Sequence, residues 1–137
     1  MVLDDLGTLL QTAGLGTLGT SLFLGSVPMD APLVTIQDAL VALIEIPGLP
    51  PIHIHNEDAP QIEQPVVQVV TRGQPYGYAA ARLQAHAAFV VLDSVHNQTL
   101  SGTFYLWIQA IKSPYILRVD DLHRPVLVFD VRCAKAL

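Results

Sequence analysis

Residues 126–133 alternate without a break: Leu127, Phe129, Val131 and Cys133 share one side of an extended backbone, and Val126, Val128, Asp130 and Arg132 the other. A period of two suits a strand with one face in a core and does not suit a helix. Residues 103–111 repeat the pattern, with Phe104, Leu106, Ile108 and Ala110 predicted for the core face and Tyr105, Trp107 and Gln109 for the opposite one. Between them lie a third candidate strand, 115–119, and two short connections, Ser113 with Pro114 and the polar stretch 120–124. The three strands are therefore expected to pair as antiparallel hairpins.

Upstream the period changes. Residues 76–95 read as a long helix, with Ala79, Leu83, Ala87 and Val90 as the apolar stripe and Phe89 and Leu92 widening it. Its many alanines would let neighbouring elements approach closely. Residues 2–13 read as a short helix with Leu3, Leu6, Leu9 and Leu10 on one face, Asp4 and Asp5 in the favourable first turn, and Gly14 and Gly16 at the exit. Candidate strands follow at 20–24, 39–46 and 66–72, the second apolar on both faces except at Glu45, and 97–102 reads as a polar turn. The expected fold is a single α+β domain over residues 1–137: a mainly antiparallel sheet packed by one long helix, plus the short N-terminal one.

Residues 47–65 interrupt this order with five prolines, His53 and His55, and the acids Glu57, Asp58 and Glu63. Proline fixes φ and removes a backbone donor, so the segment is expected as a solvent-facing loop or arm rather than a central strand.

The surface such a fold can offer is unusually apolar. Hydrophobic residues make up 51% of the chain and charged ones 14%, against about 25% charged in ordinary soluble domains. Mean hydropathy is +0.44. Either a membrane or other subunits must cover the excess. The membrane option fails, because a span needs about 20 consecutive apolar residues, and the most apolar run, 39–46, is broken by Glu45 and then by Pro47, Gly48, Pro50 and Pro51. Asp4 and Asp5 stand where a signal peptide would be basic. The single cysteine, Cys133, leaves no internal disulfide and no multi-thiolate zinc site. The expectation is a cytosolic subunit of an oligomer.

Charge is divided along the chain. No Lys or Arg precedes Arg72, so residues 1–71 carry −8 and residues 72–137 carry +3. The fold can mix the two halves over one surface or hold them apart as faces for different neighbours. Net acidity disfavours binding to nucleic-acid phosphates in either case.

Candidate chemistry is sparse. His53 and His55 would point to one side of an extended segment, where Glu57 or Asp58 could add oxygen ligands, but the nearest other histidine in sequence, His86, lies on the predicted helix. Two exposed loop histidines are the plainer reading, and no metal or cofactor is expected. No Gly-x-Ser-x-Gly elbow occurs, Cys133 falls on a core face, and the glycines at 14, 16 and 19 lack the strand and Lys of a phosphate loop. No catalytic residue is assigned. Tyr105 and Trp107, on the face away from the core, are either covered by a helix or serve as interface anchors.

The order of motifs carries further. It comprises the leucine helix, Leu22 to Gly25 with Pro28, the break at Pro47 to Pro51, and Pro65 to Gly73 with Gln68, Val69, Arg72 and Gly73 leading into the helix around Tyr78. It closes with Ile111 to Tyr115 and with Arg124 and Pro125 before the strand to Val131. Over nearly the whole chain this resembles the minor capsid or tail terminator proteins of tailed bacteriophages with long tails. The histidine-bearing loop and the low charge content depart from that family.

The resemblance implies a non-enzymatic ring, typically of six subunits, that caps the finished tail tube, ends its polymerisation and gives the filled head a surface to dock on. It implies a place at the head-proximal end of the tail in the virion, reached by assembly in the host cytoplasm. The implied partners are further copies of the chain, the tail tube protein and the head–tail connector protein, while DNA passes through the lumen without specific binding. The residues expected at oligomer or partner contacts are Tyr105, Trp107, Arg118, Arg124, His53, His55, Glu57 and Asp58. A head-completion or head–tail connector protein is the alternative, and a metal-dependent enzyme using His53 and His55 is a third reading.

Overall fold

The computed structural model describes residues 1–28, 36–53 and 61–137. The elements run α1 (Val2–Thr12), β1 (Leu22–Leu24), β2 (Leu40–Ile52), β3 (Ile62–Arg72), α2 (Tyr78–Asp93), β4 (His96–Leu100), β5 (Thr103–Ala110), β6 (Tyr115–Val119) and β7 (Pro125–Ala136). The strands form one sheet in the order β1-β2-β3-β7-β5-β4, with β6 also on β7. Among the described strands only β1 and β2 pair in parallel. The fold is thus α+β with a mostly antiparallel sheet, and the described residues form two helices. Among the described residues no helix is long and apolar enough to cross a membrane.

Strand β7 is the centre of the sheet. On one side β3 follows it from Arg72 opposite Val126 to Ile62 opposite Ala136. The other side is shared, β6 taking Pro125 to Val128 and β5 taking Val131 to Lys135. The alternation that predicted β7 is seen around Asp130 and Arg132, which are only partly buried between Phe129, Val131 and Cys133, whereas both faces of its first half are buried. Phe129, Val131 and Cys133 join Leu6, Leu10, Leu43, Val67, Val69, Leu92 and Ile108 in the core under the helices. Val126 and Val128 join Leu40, Ala42 and Val70 on the other face, where Phe23, Val27, Ile36 and Ile44 pack against them.

Four expectations are corrected. The first is the inward face of α2. Leu92 is buried and Phe89 packs against the core as expected, but their companions there are Ala81, Ala85 and Ala88, whereas Leu83 is 72% exposed and Val90 51%. Alanines allow the helix to lie close on the sheet, with Ala81 and Ala85 against Leu127, and a larger side chain has no room there. The approach is close enough to require Gly73: a Cβ added to it would meet Ala81 Cβ at 2.8 Å and Pro125 Cγ at 3.0 Å. Gly73→Ala should therefore destabilise the fold by about 1–3 kcal/mol in urea or thermal unfolding; unchanged stability would show that α2 can shift freely.

The second correction concerns β5. Tyr105 lies opposite Lys135, Trp107 opposite Ala134 and Ile108 opposite Cys133, so β5 holds one residue more than β7 between the first two pairs. Such a bulge resets the alternation. Tyr105 and Ile108 consequently both enter the core, while Phe104 is left 41% exposed.

Third, residues 96–100 are not a turn but the strand β4, paired with β5 around Ser101 and Gly102. Its polar side chains are tolerated because β4 lies at an edge of the sheet.

The fourth is the proline-rich segment, most of whose described part is strand: Pro47, Pro50 and Pro51 lie in β2 and Pro65 in β3. Beyond Leu43, β2 has a strand partner on one side only. Missing donors are tolerable at such an edge, and the ladder steps out of register between Ile46, Leu49 and Ile52.

Candidate assembly surfaces

The outward side of α2 is the first surface that no other described part of the chain covers. Ala79, Leu83, Ala87 and Val90 form a neutral stripe along it. The charges of the helix are engaged elsewhere. Arg82 donates to the carbonyl of Pro114, and Asp93 accepts the backbone N–H of Ala110 at 2.8 Å. A helix that is apolar on both sides normally lies inside a larger body.

Strand edges provide the second. β1 has three residues, β2 is interrupted by prolines, and β4 is polar with Asn97 at φ 47°. β6 is less protected, with Arg118 as its one charge and a step in register between Ile116 and Arg118. It pairs with β7 alone, all five of its residues are exposed, and Tyr115, Ile116, Leu117 and Val119 are apolar or aromatic. An edge of this kind invites another chain.

A third surface lies at the end of the strands, where the β3–α2 loop meets the β6–β7 turn. Asp120 organises the turn: its carboxylate accepts the backbone N–H groups of Leu122 at 3.0 Å and Arg124 at 2.9 Å, and the Arg124 Nε at 2.8 Å. Partial burial works against the charged form, but the Arg124 and Leu122 hydrogen bonds outweigh it and hold this carboxyl below its usual range. Arg124 also reaches Asp38 at 3.0 Å, and burial, which disfavours its charge, is outweighed by Asp120 and Asp38.

The two loops are joined by the N–H of Gly73 to the Pro125 carbonyl and the N–H of Tyr76 to the His123 carbonyl, both 2.9 Å. Above them the rings of Tyr76 and His123 stack, 5.0 Å between centroids and 14° between planes. Both residues have positive φ, 60° and 59°. For residues of this bulk that conformation costs about 1–3 kcal/mol each.

Of the residues expected at contacts, Tyr105 is buried and its hydroxyl donates to Asp5 at 2.7 Å, so it ties α1 to the sheet instead of meeting a partner. Trp107 is half-buried, with the Arg132 guanidinium 5.0 Å above its ring. Arg132 in turn donates to Gln109 at 3.1 Å. Arg118 is exposed on β6, and Arg124 is held in its ion pairs. His53 is exposed at the end of β2, while His55, Glu57 and Asp58 lie outside the described residues. Among the described ones, Arg118 and Arg124 line one cavity, and Tyr105, Trp107 and His53 do not join them there.

The charge halves are also mixed. Arg124 pairs with Asp38 and Lys135 with Glu63 at 3.5 Å, each joining a base of the second half to an acid of the first. Among the described residues no three His, Cys, Asp or Glu side chains gather as a metal site would need. Cys133 is buried, and desolvation pushes its thiol up to about 12, so it packs as a neutral group rather than acting as a nucleophile. The sequence reading missed Tyr76 and His123. Their only local signal was the turn chemistry around Gly77 and Asp120, because the stack joins loops remote in sequence.

Comparison with known proteins gives two findings. A family model described as bacteriophage tail terminator protein matches residues 9–136. A solved structure, a chain from the virion of a native gene transfer agent particle, shares the fold with a TM-score of 0.55 at 17% identity, over 96% of this chain and 84% of that one. No curated protein matches the chain.

Proposed function

The chain belongs to the bacteriophage tail terminator family, and from that premise we propose that its copies close into a ring on the end of a tail tube. The ring stops the tube from growing and gives the filled head a surface to dock on. The match that carries this reading runs through every strand of the sheet, β1 to β7. The exposed stripe of α2 and the bare edge of β6 support it, since a ring needs two different surfaces on each subunit that meet head to tail.

On this reading the subunit works at the head-proximal end of the tail and is assembled there in the host cytoplasm. It touches its own copies, the tail tube protein and the head–tail connector protein, and it performs no chemistry. The net charge of −5 suits a lumen that DNA crosses without adhering.

Light scattering on the purified chain should give one discrete species, as a closed cyclic contact produces, of about six subunit masses on the family resemblance. A phage lacking the gene should make over-long or unjoined tails beside DNA-filled heads. Tails of normal length with heads that leak DNA would instead assign the chain to head completion or to the connector.

A further inference from the structure

A cavity of about 470 Å³ lies where the sheet, the start of α2 and the α1–β1 loop meet. Val41 and Thr71 of the sheet, Leu15 of the loop, and Gly77, Ala80 and Ala81 at the helix line it. A space of this size is in the range that holds small ligands.

Two independent features inside it call for the same kind of occupant. The first is Thr71, only 1% exposed, whose hydroxyl is buried with no hydrogen-bond partner among the described residues. Alternation along β3 puts Thr71 on the face of Val67 and Val69, under the helices and toward the cavity. A buried hydroxyl left unpaired costs free energy, and native structures rarely keep one without a reason. The second feature is the start of α2, where no side chain caps the helix and no acid stands in the first turn. The first-turn N–H groups, at residues 78–80, have no carbonyl inside the helix to receive them, and they form the positive end of its dipole.

Charge narrows the ligand. Among the described residues lining the cavity no Asp or Glu occurs, although the chain carries 12 acids. Their one ionisable side chain is Arg72, whose guanidinium donates to the carbonyls of Asp38 at 2.8 Å and Gln37 at 3.0 Å. A helix start and a hydroxyl together suit a single negative charge, and a doubly charged phosphate would find no second cation on these walls. Leu15, Val41 and Ala80 offer apolar surface to a short aliphatic tail.

We propose that this cavity binds an aliphatic carboxylate, its oxygens shared between the Thr71 hydroxyl and the first-turn N–H groups of α2. A free carboxylic acid and an acidic side chain of another polypeptide present the same group. Calorimetric titration with butyrate probes the first source. A short peptide blocked at both ends, with one Glu as its sole charge, probes the second, and the tighter of the two names the source.

Saturable binding of one probe per subunit is expected. Thr71→Val should weaken it at least tenfold, while Thr71→Ser, which keeps the hydroxyl, should stay within about threefold of wild type. Without ligand, Thr71→Val should keep or raise the thermal midpoint, because it removes an unpaired buried hydroxyl. Ala80→Glu sets a carboxylate of the chain's own at the helix start and should also weaken binding at least tenfold. No saturable binding of either probe, tighter binding of inorganic phosphate, or wild-type affinity in Thr71→Val or Ala80→Glu would overturn the proposal. So would a ligand-free thermal midpoint several degrees lower in Thr71→Val, since the hydroxyl would then have a structural partner.

Discussion

Tyr105→Phe should destabilise the fold by about 2–4 kcal/mol and lower its thermal midpoint by about 10 °C. The lost hydroxyl is the one that meets Asp5 at 2.7 Å, and Asp5 is itself only 3% exposed. Removing one member of such a pair leaves the other buried without its partner, which costs more than the hydrogen bond was worth. Adding Asp5→Ala to Tyr105→Phe should therefore return part of the loss, so the two effects are not additive. Urea unfolding of the two single variants and the double variant measures this directly, and simple additivity would refute it.

The same contact has a signature in alkali. Desolvation first, and then the hydrogen bond to Asp5, raise the Tyr105 phenol above its ordinary value. A group whose folded value is raised contributes stability below its unfolded value, about pH 10, and loses it as pH climbs toward the folded one. Wild type should weaken above pH 10 more steeply than Tyr105→Phe.

The largest effect on assembly is expected from Leu83→Glu with Val90→Glu. Both side chains are on the outward stripe of α2, so the variant should fold with a thermal midpoint close to wild type. If copies join through α2 in the proposed ring, the variant should fail to assemble, because two unpaired carboxylates buried at each joint cost several kcal/mol and the penalty recurs around the ring. Light scattering or sedimentation reads the outcome. A variant multimer of wild-type mass would remove α2 from the joint and leave β6 as the surface to test.

Much of the sheet was legible because burial imposes a period. β6 was placed with its true ends, and β5 and β7 within a few residues, from alternation and turn residues alone. The failures have local physical causes. The bulge between Tyr105 and Trp107 shifts the phase of β5 by one residue, and no residue type in that stretch announces it. In α2 the hydrophobic stripe was real but pointed outward, because size rather than hydrophobicity decided which side fits against Leu127. The prolines of β2 were read as loop because an edge cannot be recognised before the neighbours of a strand are known.

The assembly surfaces were legible only as an excess of apolar residues. Which of them stay bare, and that Tyr76 and His123 meet, depend on contacts between distant parts of the chain.

The position of β7 has a kinetic consequence. Its partners are β3 on one side and β5 and β6 on the other, so it is the piece that fuses the β2–β3 ladder with the β4–β5 hairpin. The ladder between β3 and β7 closes across α2, β4, β5 and β6, and non-local pairing of this kind forms slowly. Until β7 arrives, β6 has no strand to lie on, and the loop opposite Tyr76 has no turn to anchor it. The edge of β6 and the stack of Tyr76 on His123 thus take shape only when β7 pairs, so a subunit without that pairing offers neither of them.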